Sequence, residues 1–199
     1  MAKSVVLASG SAVRARLLRN AGVAFDVVVA NVDEDVTKRR CRDDGETVEA
    51  TALALACEKA LAVGQDHPDC LVIGADQIVE QDGHWFDKPE DRSSAADHLK
   101  RFRNRSHRLV TAVAIVDNGM IDWHHVEIAS MRVRNLSDAF IDAYLELEGD
   151  DVLTSVGAYK LEGRGVQLFD AIEGDFFTIL GLPLLPLLGY LRQRAVVAS

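Results

Sequence analysis

Apolar positions along the chain alternate between short continuous runs and helical stripes. Residues 4–8 (Ser-Val-Val-Leu-Ala) predict a short buried strand, which enters the turn Ser9-Gly10-Ser11. Ser11 is a natural helix N-cap, and Val13, Leu17 and Ala21 share one face of a helix over residues 12–21 that Gly22 ends. A second strand is expected over residues 25–30. Residues 33–45 are polar and charged, and the pattern reads as a loop. Residues 46–63 carry a long apolar stripe and predict a helix closed by Gly64. Residues 71–79 form a nearly unbroken apolar strand, interrupted by Asp76 and Gln77. A helix over 92–102 follows. Strands over 109–117 and 121–134 are then joined by Asn118-Gly119, a strong hairpin signal. A helix over 137–147, a strand near 167–169 and a helix from about Pro183 complete the chain. Interleaved strands and helices with one clear hairpin imply an α/β fold, a mixed twisted sheet flanked by helices.

Composition narrows the class of protein. The chain has 199 residues, 48% hydrophobic and 27% charged, ordinary for a soluble globular protein. The apolar stretch 179–191 is shorter than the roughly 20 residues a membrane span needs, and Pro183 and Pro186 interrupt it. No membrane attachment is expected. No secretory leader is evident at the start, and Cys41, Cys57 and Cys70 lack metal-ligand spacing. They read as reduced thiols in a cytoplasmic protein. A net charge of −9 argues against nucleic acid as a partner. It also requires that any anionic ligand be held by a local cluster of cations.

Such a cluster has candidate members. The strand–turn–helix segment Ser9-Gly10-Ser11-Ala12-Val13-Arg14 presents unpaired N–H groups at a helix start, where anions are favoured. A capped helix with a solvated Arg14 fits the segment equally well. Lys59 falls on the same helical face as Val48, Ala52 and Leu55, inside the apolar stripe. It must snorkel, pair with a carboxylate or reach a ligand. Asp76 sits in a buried strand, where a lone carboxylate is costly unless paired, hydrogen-bonded or metal-bound. It either caps a turn at the strand's end or does chemistry, and the apolar residues that resume at once favour chemistry. Gly74 nearby removes bulk and could admit a ligand.

Other features are weaker alone. Lys88, before Pro89, reads as a loop lysine in extended backbone. Lys160-Leu161-Glu162-Gly163-Arg164-Gly165 suits a loop closing over a ligand or an ordinary turn, and lacks the ending of a P-loop. His124 and His125 alternate faces of a strand and do not form a metal pair.

Together these segments resemble the Maf family of nucleotide pyrophosphatases, from about Val6 to Leu191. The resemblance rests on Ser9-x-Ser11-x-x-Arg14-x-x-Leu17-Leu18, Val32-Asp33-Glu34, Glu58-Lys59-Ala60, Gly74-x-Asp76 and Lys88-Pro89. It extends to Ile172-Glu173-Gly174-Asp175 and Gly181-Leu182-Pro183-Leu184. The chain departs from the family at Ala12 and Val13, where Pro and a basic residue are usual. It departs again at 155–159, where a family lysine is missing. The resemblance implies a single domain of this family over residues 1–199, two lobes with a cleft between them, and a homodimer.

It also implies hydrolysis of a nucleoside triphosphate to the monophosphate and pyrophosphate. Asp76 is then the general base and Glu34 the metal-side carboxylate, with Mg²⁺ or Mn²⁺ as the divalent cation. Arg14, Lys59 and Lys88 hold phosphates, and Ser9 and Ser11 donate hydrogen bonds. Gln77 and Glu162 resemble the branch acting on 7-methyl-GTP rather than the dTTP/UTP branch. A carboxylate such as Glu162 suits the N–H edge of a cationic methylated guanine. The alternative from another class is a nucleotide-binding regulator of cell division without turnover.

Overall fold

The computed structural model describes residues 3–198. Among them the strands are β1 (Ser4–Leu7), β2 (Asp26–Val27), β3 (Cys70–Gln81), β4 (His84–Phe86), β5 (Ser106–Asp117), β6 (Met120–Val133) and β7 (Phe169–Glu173). The helices are α1 (Ala12–Asn20), α2 (Glu34–Asp43), α3 (Val48–Gly64), α4 (Arg92–Phe102), α5 (Asp138–Glu148), α6 (Phe176–Ile179) and α7 (Leu184–Gln193). One mixed sheet runs in the order β2-β1-β3-β5-β6-β7, with β4 paired to β3. Strand β1 is parallel to β2 and β3, whereas β3–β4 and β6–β7 are antiparallel. Asn118 and Gly119 both take positive φ in the turn between β5 and β6, as the Asn-Gly signal requires.

The chain divides into two compact units. The first holds the residues up to Gln77, Val110–Glu127 and the residues from Phe176 onward. The second holds Ile78–Leu109 and Ile128–Asp175. The alternation of β1 and β3 assigns the two faces of the first unit's sheet. Val5, Leu7, Leu71 and Ile73 pack with Leu17 and Leu18 of α1 and with Leu187 and Leu191 of α7. Val6, Ala8 and Val72 pack instead with Ala60 and Val63 of α3.

Three expectations are corrected. Residues 33–45 are not a loop, because α2 lies there. Asp33 caps it by accepting from the Val36 N–H at 3.1 Å, and acidic residues open the helix while Arg40 and Arg42 close it. Only Thr37 and Cys41 of this helix are buried, one turn apart, too narrow a stripe for an apolar periodicity to reveal. The strand expected over 25–30 shrinks to Asp26–Val27, whose residues are both exposed. The last strand lies at Phe169–Glu173 rather than 167–169, and a 3₁₀ turn occupies Arg164–Leu168.

Two glycines work differently from their sequence reading. Gly64 is the last residue of α3 rather than its stop. A Cβ there would come within 2.7 Å of the Val116 side chain. A Cβ on Gly74 would lie 2.1 Å from the Ala56 carbonyl oxygen and 2.7 Å from the Ala60 nitrogen. Gly74 therefore admits the backbone of α3, not a ligand.

Candidate active site

That close approach of α3 to β3 sets the local geometry. Lys59 is one residue from Ala60, and Asp76 is two residues along β3 from Gly74, on the same face of the strand. Both are buried, at 8% and 5% exposure. The Lys59 Nζ donates to the Asp76 carboxylate at 2.5 Å and meets the Glu34 carboxylate at 2.7 Å. One ammonium thus bridges two carboxylates, one from β3 and one from the first turn of α2.

Helix α2 is fastened to α3 by Glu58, the neighbour of Lys59. Glu58 accepts from the Thr37 hydroxyl at 2.5 Å and from the Arg40 guanidinium at 2.8 Å. These two bonds hold the helix whose start carries Glu34. Sequence reading missed Thr37 and Arg40 because it assigned no helix there.

Arg14 completes the group. Its Nε donates to the Gly181 carbonyl at 2.7 Å, and its Nη1 to the Ala75 carbonyl at 2.9 Å and the Ser9 hydroxyl at 3.1 Å. Ser9 Oγ also accepts from the Ser11 N–H, and Ser11 Oγ accepts from the Arg14 N–H, both at 3.3 Å. Both serine oxygens act as acceptors in these bonds, so each hydroxyl hydrogen can be turned toward a ligand. Gln77 leaves the strand on the face opposite to Asp76. Its amide nitrogen donates to the Thr111 hydroxyl at 2.8 Å and to the carbonyls of Thr178 and Ile179 at 3.0 and 3.2 Å.

Electrostatics distinguish the two carboxyls. Burial pushes the Asp76 carboxyl above its ordinary range, against the pull of Lys59 and Arg14. Burial also works to raise Glu34, but the hydrogen bond and charge of Lys59, with Lys38 and Arg14, outweigh it and hold Glu34 below its usual value. Desolvation lowers Arg14, opposed by the charges of Asp76 and Glu34. One carboxyl is thus biased toward taking a proton and the other toward staying ionised.

The structure brings Ser9, Ser11, Arg14, Glu34, Lys59, Asp76 and Gln77 together in the first unit. Lys88 and Glu162 belong to the second. Lys88 is exposed beyond β4, beside the buried Pro89. Glu162 is exposed in a turn where the Gly163 N–H donates to the Lys160 carbonyl at 3.2 Å. Among the described residues, no group of three His, Cys, Asp or Glu side chains could hold a metal. Glu34 and Asp76 do supply two hard oxygen donors that converge on one point, the Lys59 ammonium. Mg²⁺ and Mn²⁺ are hard cations that suit such donors. Mg²⁺ usually keeps several waters and completes its shell from substrate phosphates, so it asks for no more than one or two carboxylates.

An α/β sheet that carries the buried Asp76, with the half-exposed Glu34, Arg14, Lys59 and a helix N-terminus beside it, presents the groups that polyphosphate chemistry uses, and so points to a class of protein. Comparison with known proteins narrows it to a family. The model of the Maf-like protein family matches residues 4–194. The nucleoside triphosphate pyrophosphatase of Paramagnetospirillum magneticum is 51% identical over 189 residues, 95% of this chain and 97% of that protein. That of Granulibacter bethesdensis is 48% identical over 190 residues, 96% of each chain. The 7-methyl-GTP pyrophosphatase of Rhizobium meliloti is 47% identical over 193 residues, 97% of each. The chain belongs to the Maf-like family.

Among the described residues, no helix is long and apolar enough to cross a membrane.

Proposed function

We propose that the chain hydrolyses 7-methyl-GTP to 7-methyl-GMP and pyrophosphate, with Asp76 as the general base. The broader activity is that of a Maf-like enzyme, a nucleoside triphosphate pyrophosphatase. The observation that carries the reading is the buried Lys59 ammonium held between Asp76 and Glu34, beside Arg14.

Asp76 takes a proton from the water that attacks the α-phosphorus. A carboxyl raised by burial is a better base than an exposed one, because its affinity for that proton is greater. Arg14 and Lys59 face the negative charge that builds on the phosphate oxygens, and the resemblance alone gives Lys88 a phosphate role. The Ser9 and Ser11 hydroxyls donate to phosphate oxygens. Lys59 holds the two carboxylates in register before substrate arrives. Glu34 and Asp76 would hold Mg²⁺ or Mn²⁺, which when bound neutralises phosphate charge and acts as a Lewis acid. The resemblance assigns Glu162 to base choice, and a carboxylate's charge favours a cationic N7-methylated guanine over a neutral pyrimidine.

Two measurements test these levels separately. Hydrolysis in ¹⁸O-labelled water is expected to place the label in the nucleoside monophosphate. Label in pyrophosphate would refute attack at the α-phosphorus. A panel of 7-methyl-GTP, GTP, dTTP and UTP is expected to rank 7-methyl-GTP first in kcat/KM. A preference for dTTP or UTP would overturn the choice of base and leave the chemistry standing.

A further inference from the structure

Gln77 is the residue after Asp76, yet its side chain lies on the other face of β3 and is anchored by the protein itself. Its amide nitrogen is surrounded by acceptors: the Thr111 hydroxyl at 2.8 Å, the Thr178 carbonyl at 3.0 Å and the Ile179 carbonyl at 3.2 Å. Two backbone carbonyls fix which end of the amide points there, because only the nitrogen can donate. Thr111 donates onward to the same Thr178 carbonyl at 3.0 Å. The Thr178 hydroxyl donates to Glu127 at 2.7 Å. A partly buried polar network, with Thr111 and Thr178 fully buried at its centre, therefore clamps the segment Phe176–Gly181.

That segment ends at Gly181, where φ is +97°. The Gly181 carbonyl accepts the Arg14 Nε at 2.7 Å. A Cβ added at Gly181 would lie 3.5 Å from Arg14 Nε and 3.9 Å from Gln77 Oε1. Gln77, the turn and Arg14 therefore converge on one point. The Thr178 and Ile179 carbonyls are fixed by Gln77, and the Gly181 carbonyl, two residues on, fixes Arg14. A guanidinium has its donors in a rigid fork, so a shift of one anchoring carbonyl rotates the whole group.

We propose that Gln77 is a positioning residue for Arg14, acting through the Phe176–Gly181 turn rather than through the base of the nucleotide. This rests on the reading of Arg14 as a phosphate-binding residue. It replaces a role in choosing the base with a role in aiming a cation. A base contact would alter the order of preferred nucleotides. A positioning role alters the handling of the phosphates and leaves that order alone.

The test uses the full chain with Mg²⁺ and compares Gln77→Met and Gln77→Glu with the unaltered protein. Met keeps the length of the side chain without a donor. Glu sets a carboxylate oxygen against two carbonyls. Two quantities are measured: kcat/KM for each nucleotide of the panel, and product inhibition by inorganic pyrophosphate, which has no base. Both variants are expected to lose on the order of tenfold in kcat/KM by the same factor for every nucleotide, as misplacement of a charge clamp predicts. Pyrophosphate inhibition should weaken in parallel. Thr111→Val, which removes one anchor of the amide, should do the same more mildly and guards against a Gln77 variant that fails to fold. A changed nucleotide order with unchanged pyrophosphate inhibition would overturn the proposal, as would no change in either. Arg14→Lys separates the two readings. If it leaves pyrophosphate inhibition unaltered, the phosphate role of Arg14 fails. If it weakens inhibition while the Gln77 and Thr111 variants do not, only the positioning role of Gln77 fails.

Discussion

At the scale of residues, the site depends on a contact that would be unfavourable elsewhere. Lys59 and Asp76 are both buried and lie 2.5 Å apart, with Glu34 as the second partner of the ammonium. Removing one member of a buried pair strands the other charge, at a cost of about 3–5 kcal/mol. Lys59→Met is therefore expected to destabilise the protein by on the order of 3 kcal/mol at pH 8. The stranded Asp76 carboxyl rises further above its unfolded value, so the folded state holds a proton more tightly than the unfolded one. Stability is then lost as pH rises through the folded pKa and recovered as pH falls. Urea titrations at pH 8 and pH 5.5 should show the variant's deficit shrinking at the lower pH. An equal deficit at both would mean that Asp76 is not stranded.

At the scale of elements, Gly74 decides how α3 meets β3. Gly74→Ala drives a Cβ into the Ala56 carbonyl, with backbone on both sides of the contact. A loss of about 3 kcal/mol is expected in urea unfolding, because the neighbours are not flexible side-chain tips. Variants that leave this contact alone, such as Gly83→Ala in the open turn between β3 and β4, report only the cost of positive φ. Much of this level was legible. The stripe Val48, Ala52, Leu55 and Lys59 is buried as the wheel predicts, and Ser11, Asn118 and Gly119 take their expected places. Helix α2 was not legible, since a helix with two buried residues and many charges has the composition of a loop. Its caps and end charges were the available signal, with Asp33 before Glu34 and Asp35 at one end and Arg40 and Arg42 at the other. Long-range partners such as Thr178 for Gln77 were beyond any local pattern, because they lie about a hundred residues apart and carry no spacing.

At the scale of the whole molecule, a chain with a net charge of −9 gathers Arg14 and Lys59 at one place, beside Glu34 and Asp76, and the proposed polyphosphate substrate would meet those two cations there. One contribution to stability at low pH comes from His107 in the second unit. This imidazole is 1% exposed, stacks on Phe102 at 4.3 Å between ring centres, and shares a 2.7 Å hydrogen bond with the Tyr159 hydroxyl. Burial drives its pKa down to about 3. The unfolded chain takes up the proton near pH 6.5 and the folded one does not, so stability falls as pH drops from about 6.5 toward 3. The slope from this group approaches about 1.4 kcal/mol per pH unit. His107→Phe should flatten the pH dependence of thermal unfolding below pH 6.5, and an unchanged slope would assign it to other groups.

In the proposed mechanism Asp76 takes the proton from the attacking water. Pyrophosphate release by purified wild type and Asp76→Asn, measured side by side with 7-methyl-GTP and Mg²⁺, tests it most directly. Asn keeps the size of the side chain, and Lys59 keeps Glu34 as a partner, so the variant should remain folded by circular dichroism. Its rate should fall by about 10²–10⁴. A folded Asp76→Asn protein that releases pyrophosphate at close to the wild-type rate would contradict the assignment.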